Sequence, residues 1–147
     1  MSTITTIKKG LEIKLVGEAE KTITEVHAKR VALKPTDFTG VFPKLYVKEG
    51  AEVKVGTPIF YDKYRNDIVF TSPVSGVITE IKRGAKRKLL EIKIDSDGKN
   101  ESLDFGSADP KKLNKESVSE KLLKSGLWSL IKQRPYSVIA NPEESPK

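Results

Sequence analysis

Between residues 23 and 94 the chain never holds an apolar run long enough for a helix before a proline, a glycine or a charged pair cuts it. Val26, Ala28, Val31 and Leu33 carry a loose two-residue alternation that Pro35 ends, and Asp37 to Gly40 is turn-like. Leu45 and Val47 alternate with Lys44, Tyr46 and Lys48, Glu49-Gly50 turns the chain, and Val53 and Val55 follow before Gly56-Thr57-Pro58. Ile59 to Tyr61, Ile68 to Phe70, Val77 to Ile81 and Leu89 to Ile94 are the clearest strands, the last with Leu90, Ile92 and Ile94 on one face. The gaps between them are Lys63 to Asp67, Ser72 to Gly76 and Arg83 to Lys86. A parallel crossover needs about a dozen residues or more, so no gap here holds one and βαβ units are excluded. Short strands with turn residues between them predict a small sandwich or barrel.

The apolar period changes near residue 105. Asp109-Pro110 and Asn114 with Glu116 are helix-start signatures, a capping side chain followed by proline or an acid in the first turn. Val118, Leu122 and the series Leu123, Leu127, Ile131 then fall at helical spacing, and Gly126 marks a C-cap or a bend. Arg134-Pro135 stops the stretch, and Asn141 to Lys147 has the composition of a linker. The expected class is mainly β with a C-terminal helical segment, α+β as a whole. The expected plan is a β domain with its N-terminal segment over 1–105, a helical segment over 106–136, and a linker over 137–147 leading to a missing C-terminal part.

Composition removes whole chemistries. With no cysteine there is no disulfide, iron–sulfur cluster, thiolate zinc site or cysteine nucleophile. His27 is the single histidine, which excludes a multi-histidine metal site. No apolar run approaches the roughly 18 residues of a membrane span. MSTITTIKKG lacks the layout of a signal peptide. The ten glycines form neither GxGxxG nor GxxxxGK, so a phosphate loop is not supported. The net charge of +7 admits three kinds of partner: nucleic acid, an anionic membrane or an acidic subunit. Nucleic acid has only the charge in its favour, since no RNP motif, zinc finger or basic zipper is present.

Two motifs carry a resemblance of fold. Val47 to Ile59 reads V-x-E-G-x-x-V-x-x-G-x-x-I, and Thr71 to Ile78 reads x-[AS]-P-x-x-G-x-[VI]. In this order and separation they resemble the barrel-sandwich hybrid of biotinyl and lipoyl domains. A wider resemblance rests on four blocks. These are Lys8-Lys9-Gly10-Leu11, Asp62-Lys63 with Phe70 to Gly76, Arg83-Gly84-Ala85-Lys86-Arg87, and Leu122 to Trp128 with Arg134-Pro135-Tyr136. Together they resemble the A-type subunit of the bacterial sodium-translocating NADH:quinone oxidoreductases.

That resemblance implies a peripheral subunit on the cytoplasmic side of the bacterial inner membrane. Its complex oxidises NADH, reduces ubiquinone and exports sodium. NAD and ubiquinone are then used by the complex, with no flavin, iron–sulfur centre or other cofactor bound by this chain. The implied partners are the other subunits, membrane subunits among them, with quinone a further candidate and no nucleic acid. A structural or docking role is expected for this piece, with no catalytic or metal-binding residue, and the chain reads as the N-terminal part of a longer one.

Two places bear on function. Lys63 follows Asp62 near a hairpin tip, as a lipoate- or biotin-bearing lysine would, and a carrier domain is the alternative reading. Against it, Tyr64 to Asp67 lengthens the tip and no methionine flanks the lysine. The second place is the basic turn. Lys82 to Lys88 holds five cations in seven residues, and Arg83, Gly84, Lys86, Arg87 and Lys88 are the candidate contacts to an anion or acidic partner, with Gly84 opening a backbone nest. His27 is expected on the surface, Ser72 and Ser75 in turns, and Trp128 in packing.

Overall fold

The computed structural model describes residues 6, 10 and 16–144. Of the Lys8-Lys9-Gly10-Leu11 block, only Gly10 lies within the described residues. Seven strands build two antiparallel sheets. The first sheet runs β1 (Arg30–Leu33), β7 (Leu89–Ser96), β6 (Gly76–Arg83), β3 (Glu52–Val53) in that spatial order, and the second runs β2 (Pro43–Leu45), β4 (Pro58–Asp62), β5 (Arg65–Thr71). Every pair of strands is antiparallel, as the short gaps require.

The core lies between the sheets. Ile59, Phe60, Ile68 and Phe70 from one meet Ile78, Leu89, Ile92 and Ile94 from the other. Phe60 stacks on Phe70 with ring centroids 4.3 Å apart, and Phe38 meets Phe70 edge-on at 4.5 Å. Simple alternation fails where the ladder shifts register. A shift between Pro58 and Phe60 lets Ile59 and Phe60 both be buried. A second, between Lys82 and Arg83, turns Leu89 inward in place of the expected Leu90. Bulges of this kind bend a strand and sharpen its twist, which is how short strands curl around a small core.

Strand β1 also starts later than the alternation at Val26 predicts. Residues 18–29 carry no regular structure, and Val26 is 84% exposed. Pairing begins at Arg30, where the guanidinium meets the Asp95 carboxylate across the ladder.

Gly76 decides how closely β6 and β7 approach. Its φ is 150°, and a β-carbon there would lie 1.9 Å from the Asp95 carbonyl oxygen. No rotamer relieves a clash with backbone, so only glycine fits.

The helical segment expected over 106–136 is interrupted at Gly126, the residue marked in the sequence as a C-cap or a bend. Helix α1 covers Lys115–Lys124, opened by the Asn114 side chain accepting from Ser117 N. It ends because Gly126 takes the left-handed conformation, and Leu127–Leu130 is one 3-10 turn. Leu127 and Ile131 are consequently exposed, while Leu123 and Trp128 pack on the core. The chain then forms a hairpin of β8 (Lys132–Gln133) and β9 (Val138–Ile139) around Arg134-Pro135. The stretch expected as linker from residue 137 thus begins with a strand, and Ile139, 2% exposed, belongs to the core. Periodicity could not show this, because three apolar residues before Asn-Pro read as tail.

Two outcomes are expected from this packing. Gly76→Ala should destabilise the 147-residue chain by about 3 kcal/mol or more, read from urea denaturation. The second concerns the exposed pairs on the outer face of the first sheet. Arg30 holds the Asp95 carboxyl below the ordinary carboxylate range, and Lys93, 2.7 Å from Glu80, does the same there. Groups with depressed folded values stabilise above their unfolded values and lose that contribution as pH falls through the folded ones. The urea midpoint should therefore drop as pH falls below the ordinary carboxylate range, and Asp95→Asn should flatten part of that drop.

Candidate functional site: a basic groove at one end of the barrel

Three turns meet at one end of the two sheets: residues 38–43 before β2, the β4–β5 turn, and the β6–β7 turn. Asp62 fastens the first two together. Its carboxylate is 1% exposed and accepts from Phe42 N at 3.2 Å, Tyr64 N at 3.4 Å and Arg65 Nε at 3.2 Å. Lys63 N in turn donates to the Phe42 carbonyl at 2.8 Å. A buried carboxylate persists only when paired and hydrogen-bonded, and here it has both kinds of partner. Arg65 extends the link by donating to the Ile139 carbonyl at 2.9 Å, which ties β9 to the barrel. Trp128 Nε1 to the Ala140 carbonyl at 2.9 Å holds the same hairpin. Gly126 lies close enough to β5 that a β-carbon would sit 2.8 Å from the Thr71 side chain.

The three turns enclose a groove of about 570 Å³. Phe38, Val41, Phe42 and Leu89 give it an apolar lining, and Lys63, Arg83, Arg87 and Lys88 give it cations. Among the described residues, no acidic residue lines it. Among the described residues, none of these four cations, nor Lys86, forms a salt bridge, whereas Lys82 lies 4.0 Å from Glu91 and leaves the cluster. The structure therefore joins two features that are twenty residues apart in sequence, Lys63 and the basic turn, into one site.

The turn itself is unusual backbone. Lys86 and Arg87 take φ of 52° and 60°, left-handed values uncommon for residues other than glycine. The Gly84 N–H donates inward to the Lys88 carbonyl at 2.8 Å, so Gly84 contributes no outward donor to an anion nest. Arg83 braces the turn from its side chain, donating to the Arg87 carbonyl at 3.3 Å.

Lys63 occupies a tighter turn than its sequence implies. Asp62 pairs with Arg65, leaving Lys63 and Tyr64 as a two-residue tip. The turn is nevertheless tied to the 38–43 loop through Asp62 and Lys63 N, and the ammonium lies 5.3 Å from the Tyr64 ring centroid.

His27 is exposed at the other end of the molecule, 3.9 Å from Glu25. Ser72 and Ser75 are buried turn staples. The first donates to the Val74 carbonyl at 2.6 Å and the second to Asp97 Oδ1 at 2.6 Å. Sequence reading missed Asp62 and the apolar lining. The signal for Asp62 was the Asp62-Lys63 pair itself, whose structural member is the acid rather than the lysine.

The model of the NqrA N-terminal barrel-sandwich hybrid domain matches residues 5–97. The chain belongs to this family. The fold is the barrel-sandwich hybrid that the Val47–Ile59 and Thr71–Ile78 motifs indicated. A model of the NqrA second alpha/beta domain matches residues 113–147, the part that holds α1, β8 and β9. The A-type subunit of the Na(+)-translocating NADH-quinone reductase of Histophilus somni strain 2336 is 41% identical over 145 residues, 96% of this chain and 32% of that protein. Proteins of the same name from Pseudomonas aeruginosa PAO1 and Pasteurella multocida Pm70 are each 39% identical, over 95% and 96% of this chain and 32% of their own lengths. The chain thus spans about a third of the length of the curated relatives it matches.

The Asp62-Lys63 pair can be tested directly. Asp62→Ala strips three donors of their acceptor and should destabilise the chain by about 3 kcal/mol. Lys63→Ala touches only an exposed side chain and should stay within about 0.5 kcal/mol of the parent. Paired thermal melts decide it.

Proposed function

We propose that this chain is the N-terminal part of a peripheral subunit of a sodium-translocating NADH:quinone reductase, and that its role there is docking and structure. The observation that supports this most is the pair of matches in family order, 5–97 and 113–147, together with a 41% identical relative that carries that name. In this reading the complex oxidises NADH, reduces ubiquinone and exports sodium, and NAD and ubiquinone are its cofactor and substrate. This chain binds neither a flavin nor a metal. The subunit lies on the cytoplasmic side of the bacterial inner membrane against the membrane subunits, in keeping with described residues that include no helix long and apolar enough to cross a membrane.

The basic groove is the docking element. Arg83, Lys86, Arg87 and Lys88 sit in a turn whose side chains bury little, so their substitution leaves the core untouched. Like charges this close repel unless counter-charge or salt screens them, and an acidic or anionic surface supplies that counter-charge. The alternative, a lipoyl or biotin carrier with Lys63 as attachment point, gains from the two-residue tip. It loses more from the hydrogen bonds that tie the tip to the 38–43 loop, since a swinging arm needs a free-standing turn. Intact mass of the native subunit reads this directly: the docking role expects no adduct at Lys63.

Reversal of Arg83, Lys86 and Arg87 to Glu in the full-length subunit should preserve the fold and loosen its hold on the complex, with the largest difference from the parent at low salt. Co-purification through a salt titration measures it. A variant that stays as firmly bound as the parent at every salt concentration would show the turn to be merely solvated.

A further inference from the structure

Charge alone does not account for what this end of the barrel presents. Beside the cations, Phe42 is 55% exposed and Tyr64 is 68% exposed, and their rings meet edge-on at 5.0 Å. Aromatic rings at a cationic rim, with Phe38, Val41 and Leu89 behind them, combine the two features that hold a protein at a lipid–water boundary.

We propose that this end of the domain seats on an anionic phospholipid surface, with headgroup phosphates among Arg83, Arg87, Lys88 and Lys63 and with Phe42 and Tyr64 set into the headgroup zone. The proposal rests on the docking reading for the choice of this turn, though its test does not. Charge complementarity favours it, because no acidic residue lines the groove and none of its four cations is in a salt bridge among the described residues. The backbone argues against an acidic peptide as the occupant. The main-chain donors of Phe38, Val41, Phe42, Lys63, Gly84 and Lys88 are already spent on acceptors within the chain. A peptide laid in the groove would bury its own carbonyls with few donors to meet them. A phospholipid has no such requirement. Its phosphate takes the guanidinium and ammonium groups, and its glycerol and upper acyl carbons take the rings.

The test uses the 147-residue chain with sedimented vesicles of phosphatidylcholine alone and of phosphatidylcholine mixed with phosphatidylglycerol. The chain should bind the mixed vesicles, bind the neutral ones far less, and release as salt rises. Replacing Arg83, Arg87 and Lys88 by Gln should weaken partitioning about 100-fold, since each basic residue near an anionic surface contributes about fivefold. Phe42→Ser should weaken it about tenfold, and Tyr64→Ser serves as a second variant should the first unfold. Gln at Lys29, Lys54 and Lys99, which lie toward the opposite end of β7, removes the same charge and should cost no more than about threefold.

An equal loss in that control would mean that net charge alone drives binding and would overturn the proposal. So would a parent chain that ignores the mixed vesicles. If it ignores them while the Glu reversal still frees the subunit from its complex, the partner at this end is a protein, and the docking reading survives without the lipid. If it binds them while the reversed subunit stays in the complex, the lipid site stands and the docking reading falls.

Discussion

A buried carboxylate organises one end of this molecule. Asp62 is enclosed by the turn it sits in, the 38–43 loop and Arg65, and each supplies a donor. Remove those donors and the charge would be unsupportable at 1% exposure; remove the charge and three donors lose their acceptor. Because Phe42 N is one of those donors, the aromatic side chain at the groove rim is placed by the same interaction. Because Arg65 also reaches the Ile139 carbonyl, so is the hairpin of the C-terminal segment. The site is therefore held by polar contacts behind it, while its exposed face is left to cations and carbon.

The distribution of charge follows the same division. On the outer face of the first sheet acids and bases alternate across the ladder: Arg30 with Asp95, Lys93 with Glu80, Lys82 with Glu91. Cross-strand pairs of this sort add modestly to a sheet and keep its exposed face soluble. At the β6–β7 turn the pairing stops, and Arg83, Lys86, Arg87 and Lys88 follow without an acid. The contrast lies within a single hairpin, so a general excess of lysine does not explain it. Two left-handed residues in succession at this turn add to the cost of its shape. The same hairpin that balances its charges along the strands leaves them unbalanced where the backbone is least comfortable.

Much of the barrel was legible because turn residues announce themselves. Gly50, Gly56 and Gly76 bound the strands they were expected to bound, and the gaps forced antiparallel pairing. Errors came where a tertiary contact overrode a local pattern. Val26 alternates like a strand residue, but its segment has no partner strand among the described residues. Leu90 has the right parity, yet the register shift at Arg83 turned Leu89 inward and left Leu90 beneath Gly84. Ile139 looks like tail until Arg65, which lies 74 residues away, is seen to hold its carbonyl. The groove was half legible: its cations stood out as a run, whereas its lining comes from Phe38, Val41 and Phe42, residues that only the fold brings beside Leu89.

The C-terminal segment, matched by a second domain model, packs against the barrel. Helix α1 and the 3-10 turn lie along β5, where Thr71 Oγ1 donates to the Ser125 carbonyl at 3.3 Å and Gly126 permits close approach. Ile139 then enters the barrel core, and Trp128 and Arg65 each hold a carbonyl of the final hairpin. These contacts are apolar and hydrogen-bonded. Strand β5 carries these contacts and begins at Arg65, two residues after the groove's Lys63. Under the docking proposal, an orientation set at the groove by a surface would reach the C-terminal segment through this one strand.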